Sequence, residues 1–170
     1  MRRAFRPLLV LVLTAGSVQA LAGDQLILAA GRKGDTAAVR ALLRQHANPN
    51  AAEADGTTAL HWAVRADALE AARLLIAAGA GVESSNRYGV TPLSLAAANG
   101  SDAMIEALIK AGAEANAPAA EGETPLMIAA RTGRTGAVKV LAGAAVATIG
   151  TVPGLSVSYS RGLLAIAVDP

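Results

Sequence analysis

From Asp102 to Ala111 the chain reads DAMIEALIKA, and Met104, Ile105, Leu108 and Ile109 fall at steps of three and four. That spacing lines one stripe of a short helix, which Gly112 stops in a left-handed cap. Just upstream a second short helix is predicted over Leu93, Leu95 and Ala96. Thr91 can cap its start by accepting from an exposed backbone N–H, and Pro92 takes the first-turn position, where a missing N–H costs nothing. Gly100 ends it. The residues that lead to the next Thr, Ala113 to Glu123, are small and polar and suit an extended hairpin loop.

This pattern of two helices and a loop recurs. Gly56, Gly89 and Gly122 are spaced by 33, as are Thr58, Thr91 and Thr124, and Leu60, Leu93 and Leu126. Ala63, Ala96 and Ala129 keep the step and extend back to Ala30, while Leu42, Leu75, Leu108 and Leu141 mark the second helices. Gly34 and Gly133 share the slot of Gly100. Gly79 and Gly112 close two units, with His46 in their register and suited to a left-handed backbone. A fixed period of this size signals stacked units, each burying its apolar face against its neighbours.

The stretches GTTALH (56–61), GVTPLSLAAA (89–98), GETPLMIAA (122–130), LLIAAGA (74–80) and LIKAGAEANA (108–117) resemble ankyrin repeats, over about residues 24–141. The resemblance implies an all-α solenoid of about four helix pairs with β-hairpin-like loops, with units at about 24–50, 51–83, 84–116 and 117–141. It also implies a generic binding surface made of the hairpin tips and the outer ends of the first helices.

Composition changes the picture at both ends. Hydrophobic residues are 53% and aromatic residues only 2%, so the apolar mass is aliphatic and suits small packed helices. Arg2, Arg3 and Arg6, the aliphatic run Leu8 to Leu13 and the triplet Ala20-Leu21-Ala22 read as a secretory signal cleaved after Ala22, too short for a permanent membrane span. Arg2-Arg3-Ala4-Phe5 faintly resembles a twin-arginine signal; the short head and apolar core favour the ordinary secretory route. Removing residues 1–22 deletes three of the 15 basic residues and none of the 13 acidic ones, leaving twelve against thirteen, a net −1. The pI of 9.4 thus belongs to the leader, and nucleic acid is not expected as a ligand. The absence of cysteine rules out disulfides and thiolate metal sites.

After Leu141 the period stops. Between Ala142 and Pro170 only Arg161 and Asp169 are charged, and Leu155 to Tyr159 and Leu163 to Val168 are strand-like, with Pro153, Gly154 and Gly162 as breakers. This atypical tail, 142–170, is open to three readings: a divergent cap, a partner-binding segment, or the product of a reading-frame change in a longer repeat gene.

His61 and Trp62, the rarest side chains, lie together. His61 has no Cys, nearby His or Gly-x-Ser-x-Gly partner for catalysis, and the resemblance makes it a group that braces the loop and the capping Thr. Trp62 shares its slot with Leu95 and Ile128 and is expected to pack. Thr58, His61, Trp62, Thr91 and Thr124 are therefore read as structural. On the side that the resemblance turns to a partner, Arg32, Arg65 and Arg131 stand at steps of 33, with Ala98 between, as a basic stripe. The tips add Asp55, Arg87, Tyr88, Glu121 and Glu123. The expectation is an exported, monomeric protein-interaction module, without cofactor, metal or catalytic residue, docking an acidic protein over Arg65 and Arg131 with Tyr88 as anchor. The alternatives are a remnant of a longer repeat protein and an enzyme built around His61.

Overall fold

The computed structural model describes residues 10–149, 155–160 and 163–168. The head arginines Arg2, Arg3 and Arg6, and the tail positions Pro153, Gly154, Arg161, Gly162 and Asp169, lie outside the described residues. Eight α-helices follow in order among those described: α1 (Val10–Lys33), α2 (Thr36–Arg44), α3 (Ala59–Arg65), α4 (Leu69–Ala77), α5 (Pro92–Asn99), α6 (Asp102–Lys110), α7 (Pro125–Arg131) and α8 (Thr135–Ile149). Each odd helix packs on the even helix after it. The odd helices also stack on one another in sequence to form an inner layer, and the even helices stack behind them as an outer layer. The result is an all-α repeat solenoid, with Leu60, Val64, Leu75, Leu93, Met104, Ile105, Leu108 and Leu141 buried between the layers.

The invariant slots have a backbone reason. At the end of each first helix the chain turns back through a left-handed residue, Gly34, Asp67, Gly100 or Gly133, and the next N–H donates to the carbonyl of Ala30, Ala63, Ala96 or Ala129 at 2.9–3.3 Å. At the end of the first three second helices, His46, Gly79 and Gly112 are left-handed. There the N–H of Ala47, Ala80 and Ala113 reaches back to Leu42, Leu75 and Leu108 at 2.9–3.0 Å, satisfying carbonyls that the helix leaves over. His46 adopts φ 61, the conformation its glycine slot-mates use.

Small residues set how closely the inner helices approach. Gly31 of α1 faces the backbone of α3, where a Cβ added to it would lie 2.6 Å from the Ala59 carbonyl oxygen. The three hairpin loops close with Glu53 N–H to Thr57 O (2.9 Å), Asn86 N–H to Val90 O (3.1 Å) and Ala119 N–H to Glu123 O (2.8 Å), one pattern at the 33-residue step.

α1 runs continuously from Val10 to Lys33, through Ala22, and α8 continues past Leu141 to Ile149. The residues after Leu141, AGAAVATI, are alanine-rich and prolong a helix readily. Beyond the solenoid, β1 (Leu155–Ser160) pairs antiparallel with β2 (Leu163–Val168), Leu155 opposite Val168 and Ser160 opposite Leu163.

Candidate partner-binding groove

The second unit places His61 and Trp62 on adjacent positions of α3 with opposite fates. Thr58 caps α3 by accepting from His61 N–H, and the Thr58 N–H donates to His61 Nδ1 at 3.2 Å, closing a capping box. Because Nδ1 accepts, the neutral ring carries its proton on Nε2, which donates to the Val90 carbonyl of the next tip at 3.0 Å. The Thr58 hydroxyl also lies 2.8 Å from Nδ1. His61 is 1% exposed, and burial pushes its pKa below that of a free imidazole, against the opposing pull of the Val90 carbonyl and the Asp55 charge. Both ring nitrogens are engaged by groups that hold the ring still; the arrangement braces two loops together. Ser94, in the same slot of the third unit, keeps the capping box with Thr91 and has no bond to the next tip. Thr124 caps α7 alone.

Trp62 is half-buried rather than enclosed. Its indole N–H donates to Glu53 Oε1 at 3.0 Å, and guanidinium groups lie on its ring, Arg32 at 4.3 Å and Arg65 at 5.6 Å from the centroid. The indole packs against the core, and the arginines lie against the part of it that remains exposed. Beside it a cavity of about 280 Å³ opens between α3 and the tips of the second and third units. Its floor is His61, Trp62, Val90 and Leu95, and its rim is Asp55, Arg65 and Tyr88, with Thr57 and Asn86 between.

The three arginines of the stripe are not equivalent. Arg32 is paired with Glu53, and Arg131 with Glu123 at 2.9 Å. Among the described residues, Arg65 has no carboxylate partner. The repeat explains the difference: the slot that holds Glu53 for Arg32 holds Asn86 for Arg65, and the slot that holds Glu123 for Arg131 holds Thr57. Asn86 is itself engaged through both side-chain polar atoms. Its Oδ1 accepts from the N–H groups of Tyr88 and Val90, both at 3.0 Å, and its Nδ2 donates to Thr57 Oγ1 at 3.2 Å.

At the tips, Asp55 Oδ1 accepts from Thr57 N–H at 2.9 Å. That bond, with a smaller contribution from the Arg87 charge, holds its carboxyl below the ordinary aspartate range. The Asp55 carbonyl accepts from Arg87 N–H at 2.8 Å, tying neighbouring tips. Arg87 donates to the Tyr88 hydroxyl (2.8 Å) and lies 4.9 Å from its ring centroid, and Tyr88 is 58% exposed. Glu121 is exposed at the third tip in a left-handed conformation (φ 60). The structure thus brings Asp55, His61, Trp62, Arg65 and Tyr88 to one cavity, joins Arg32 to it through Trp62, and sets Arg131, Glu121 and Glu123 at the fourth unit.

Comparison with protein families matches ankyrin repeats (3 copies) over residues 26–119 and 81–150. The chain belongs to the ankyrin-repeat family. Ankyrin repeats generally mediate protein–protein interaction, and their fold is typically a non-catalytic interaction module. Comparison with curated proteins gives no match. In this ankyrin domain no group of His, Asp or Glu suited to a metal ion occurs among the described residues, and no helix among them is long and apolar enough to cross a membrane.

Five groove residues were not singled out from the sequence. Glu53, Thr57, Asn86, Val90 and Leu95 line or support the ankyrin groove, and a slot-by-slot comparison of Arg32, Arg65 and Arg131 with residues 21 ahead and 8 behind them would have found the first three.

Proposed function

We propose that the protein is an exported, non-catalytic ankyrin-repeat module that binds another protein, as a monomer, in its concave groove. The observation that carries this reading is the cavity over His61, Trp62, Val90 and Leu95, rimmed by exposed Tyr88 and Arg65. An apolar floor with a few polar rim groups is the usual make-up of a recognition site, and Trp, Tyr and Arg are the side chains that dominate binding energy. His61 argues against catalysis, because its nitrogens serve the capping box and the Val90 carbonyl. Export rests on the leader-like pattern of residues 1–22.

The test is affinity capture from envelope extract with the wild type, a Tyr88→Ala/Leu95→Ala variant and an outer-layer control, Arg73→Ala. A partner recovered by the wild type and the control, and lost with the groove variant, supports the reading. Equal recovery by all three removes the groove from it. An exported form whose first residue is Gly23 completes the test of the leader.

A further inference from the structure

Resting on the groove reading above, the partner's chemistry can be narrowed. We propose that Arg65 takes one carboxylate from an Asp or Glu side chain of the partner, with an apolar neighbour of that acid seated on Trp62 and Leu95.

The argument is one of charge complementarity read against the repeat. Two of the three stripe arginines are answered inside the chain, by Glu53 and Glu123. The corresponding slots around Arg65 hold Asn86 and Thr57, which are uncharged and bonded to each other. Arg65 is exposed at the cavity rim with its guanidinium carbon 5.6 Å from the Trp62 ring centroid, so the group is partly ordered before binding. A guanidinium held on an aromatic face and offered across an apolar floor favours a carboxylate, which it can grip through two parallel N–H donors. Asp55 lies on the same rim, but its Oδ1 accepts from Thr57 N–H and Arg87 offsets its charge, so the acid is directed to the α3 end of the cavity and away from the tip. Arg131 is already paired with Glu123, so this carboxylate is assigned to Arg65.

A random dodecapeptide display library selected on the immobilised full chain tests this. The expected enrichment is Asp or Glu directly beside an aliphatic or aromatic residue. The most enriched peptide, made synthetically and titrated by Trp62 fluorescence, should bind at least tenfold more weakly when its acid is changed to the amide. It should also bind at least tenfold more weakly to Arg65→Gln, while Arg65→Lys keeps part of the affinity and Arg73→Gln keeps all of it. No enrichment, enrichment without acids, or unchanged affinity for Arg65→Gln overturns the proposal. If the enriched peptides lack acids and yet lose binding to Tyr88→Ala/Leu95→Ala, the groove reading stands and only carboxylate capture fails; if that variant binds them normally, both fail.

Discussion

Replacing His61 with serine would remove one bond and leave its neighbourhood close to a state the chain already uses. Ser94 shows that serine in this slot keeps the capping box, with Thr91 N–H to Ser94 Oγ at 3.0 Å and Ser94 N–H to Thr91 Oγ1 at 3.1 Å. What His61→Ser loses is the Nε2 bond to Val90 O, the link between the tips of the second and third units, together with the packing of a ring that is 1% exposed. Leaving a buried acceptor unpaired costs about 1–3 kcal/mol. The carbonyl borders the open cavity, where water can reach it, so the lower half of that range applies to the bond. Loss of ring packing adds about 1 kcal/mol. The expected destabilisation is then about 2–3 kcal/mol, or roughly 5–10 °C in Tm for a domain of this size. Urea unfolding followed by both far-UV circular dichroism and Trp62 fluorescence measures it. His61→Ala, which also breaks the capping box, should lose about 1 kcal/mol more. A loss below about 0.5 kcal/mol for His61→Ser would refute the bracing role, and equal losses for Ser and Ala would refute the separation of cap from bridge.

The same histidine gives a pH dependence. Its folded pKa lies below the unfolded imidazole value of 6.5, so between the two the unfolded chain binds a proton that the native chain does not, and stability falls as pH drops through that window. Comparing urea midpoints at neutral and mildly acidic pH should show this fall in the wild type and a smaller one in His61→Ser; identical slopes would rule His61 out as its source. Gly31→Ala sets two effects against each other. Alanine favours a helix by about 1 kcal/mol, but its Cβ would sit 2.6 Å from the Ala59 carbonyl oxygen and force α1 away from α3. Overpacking of this kind costs about 1–3 kcal/mol. The expected outcome is a lower Tm, and a rise in Tm would show that α1 has room to adjust.

Much of the fold was legible because a repeat states each local rule several times. Thr58, Thr91 and Thr124 cap α3, α5 and α7, and Gly34, Gly100, Gly133, Gly79 and Gly112 all turn left-handed where the helices end. Asp67 takes the same turn without being glycine, so composition alone hides it. The groove was legible in part. Trp62 shares its slot with Leu95 and Ile128, yet only Trp62 is long enough to reach Glu53 and carry Arg32 and Arg65 on its ring. Equal spacing made the arginines look alike, whereas their surroundings come from residues of other slots that do not repeat. At both ends the helices run past the repeat register, α1 back to Val10 and α8 on to Ile149, because a helix continues wherever its local residues permit.

The ties between units are unevenly distributed along the stack. Among the described residues, Asn50, which donates to Gly79 O and accepts from Gly81 N–H, and the Arg32–Glu53 pair bridge the first and second units, while His61, Asn86, the Asp55 carbonyl and Asn99, which donates to Val64 O at 2.9 Å, all bridge the second and third. The third and fourth units are held by the packing of α5 on α7 and α6 on α8. In a nearest-neighbour stack, opening begins where coupling is weakest. The chain therefore works like a zip whose teeth are densest at the groove: α7 and α8 can part from the rest, as unit-by-unit amide exchange would register, while the walls around Trp62 and Arg65 keep their shape.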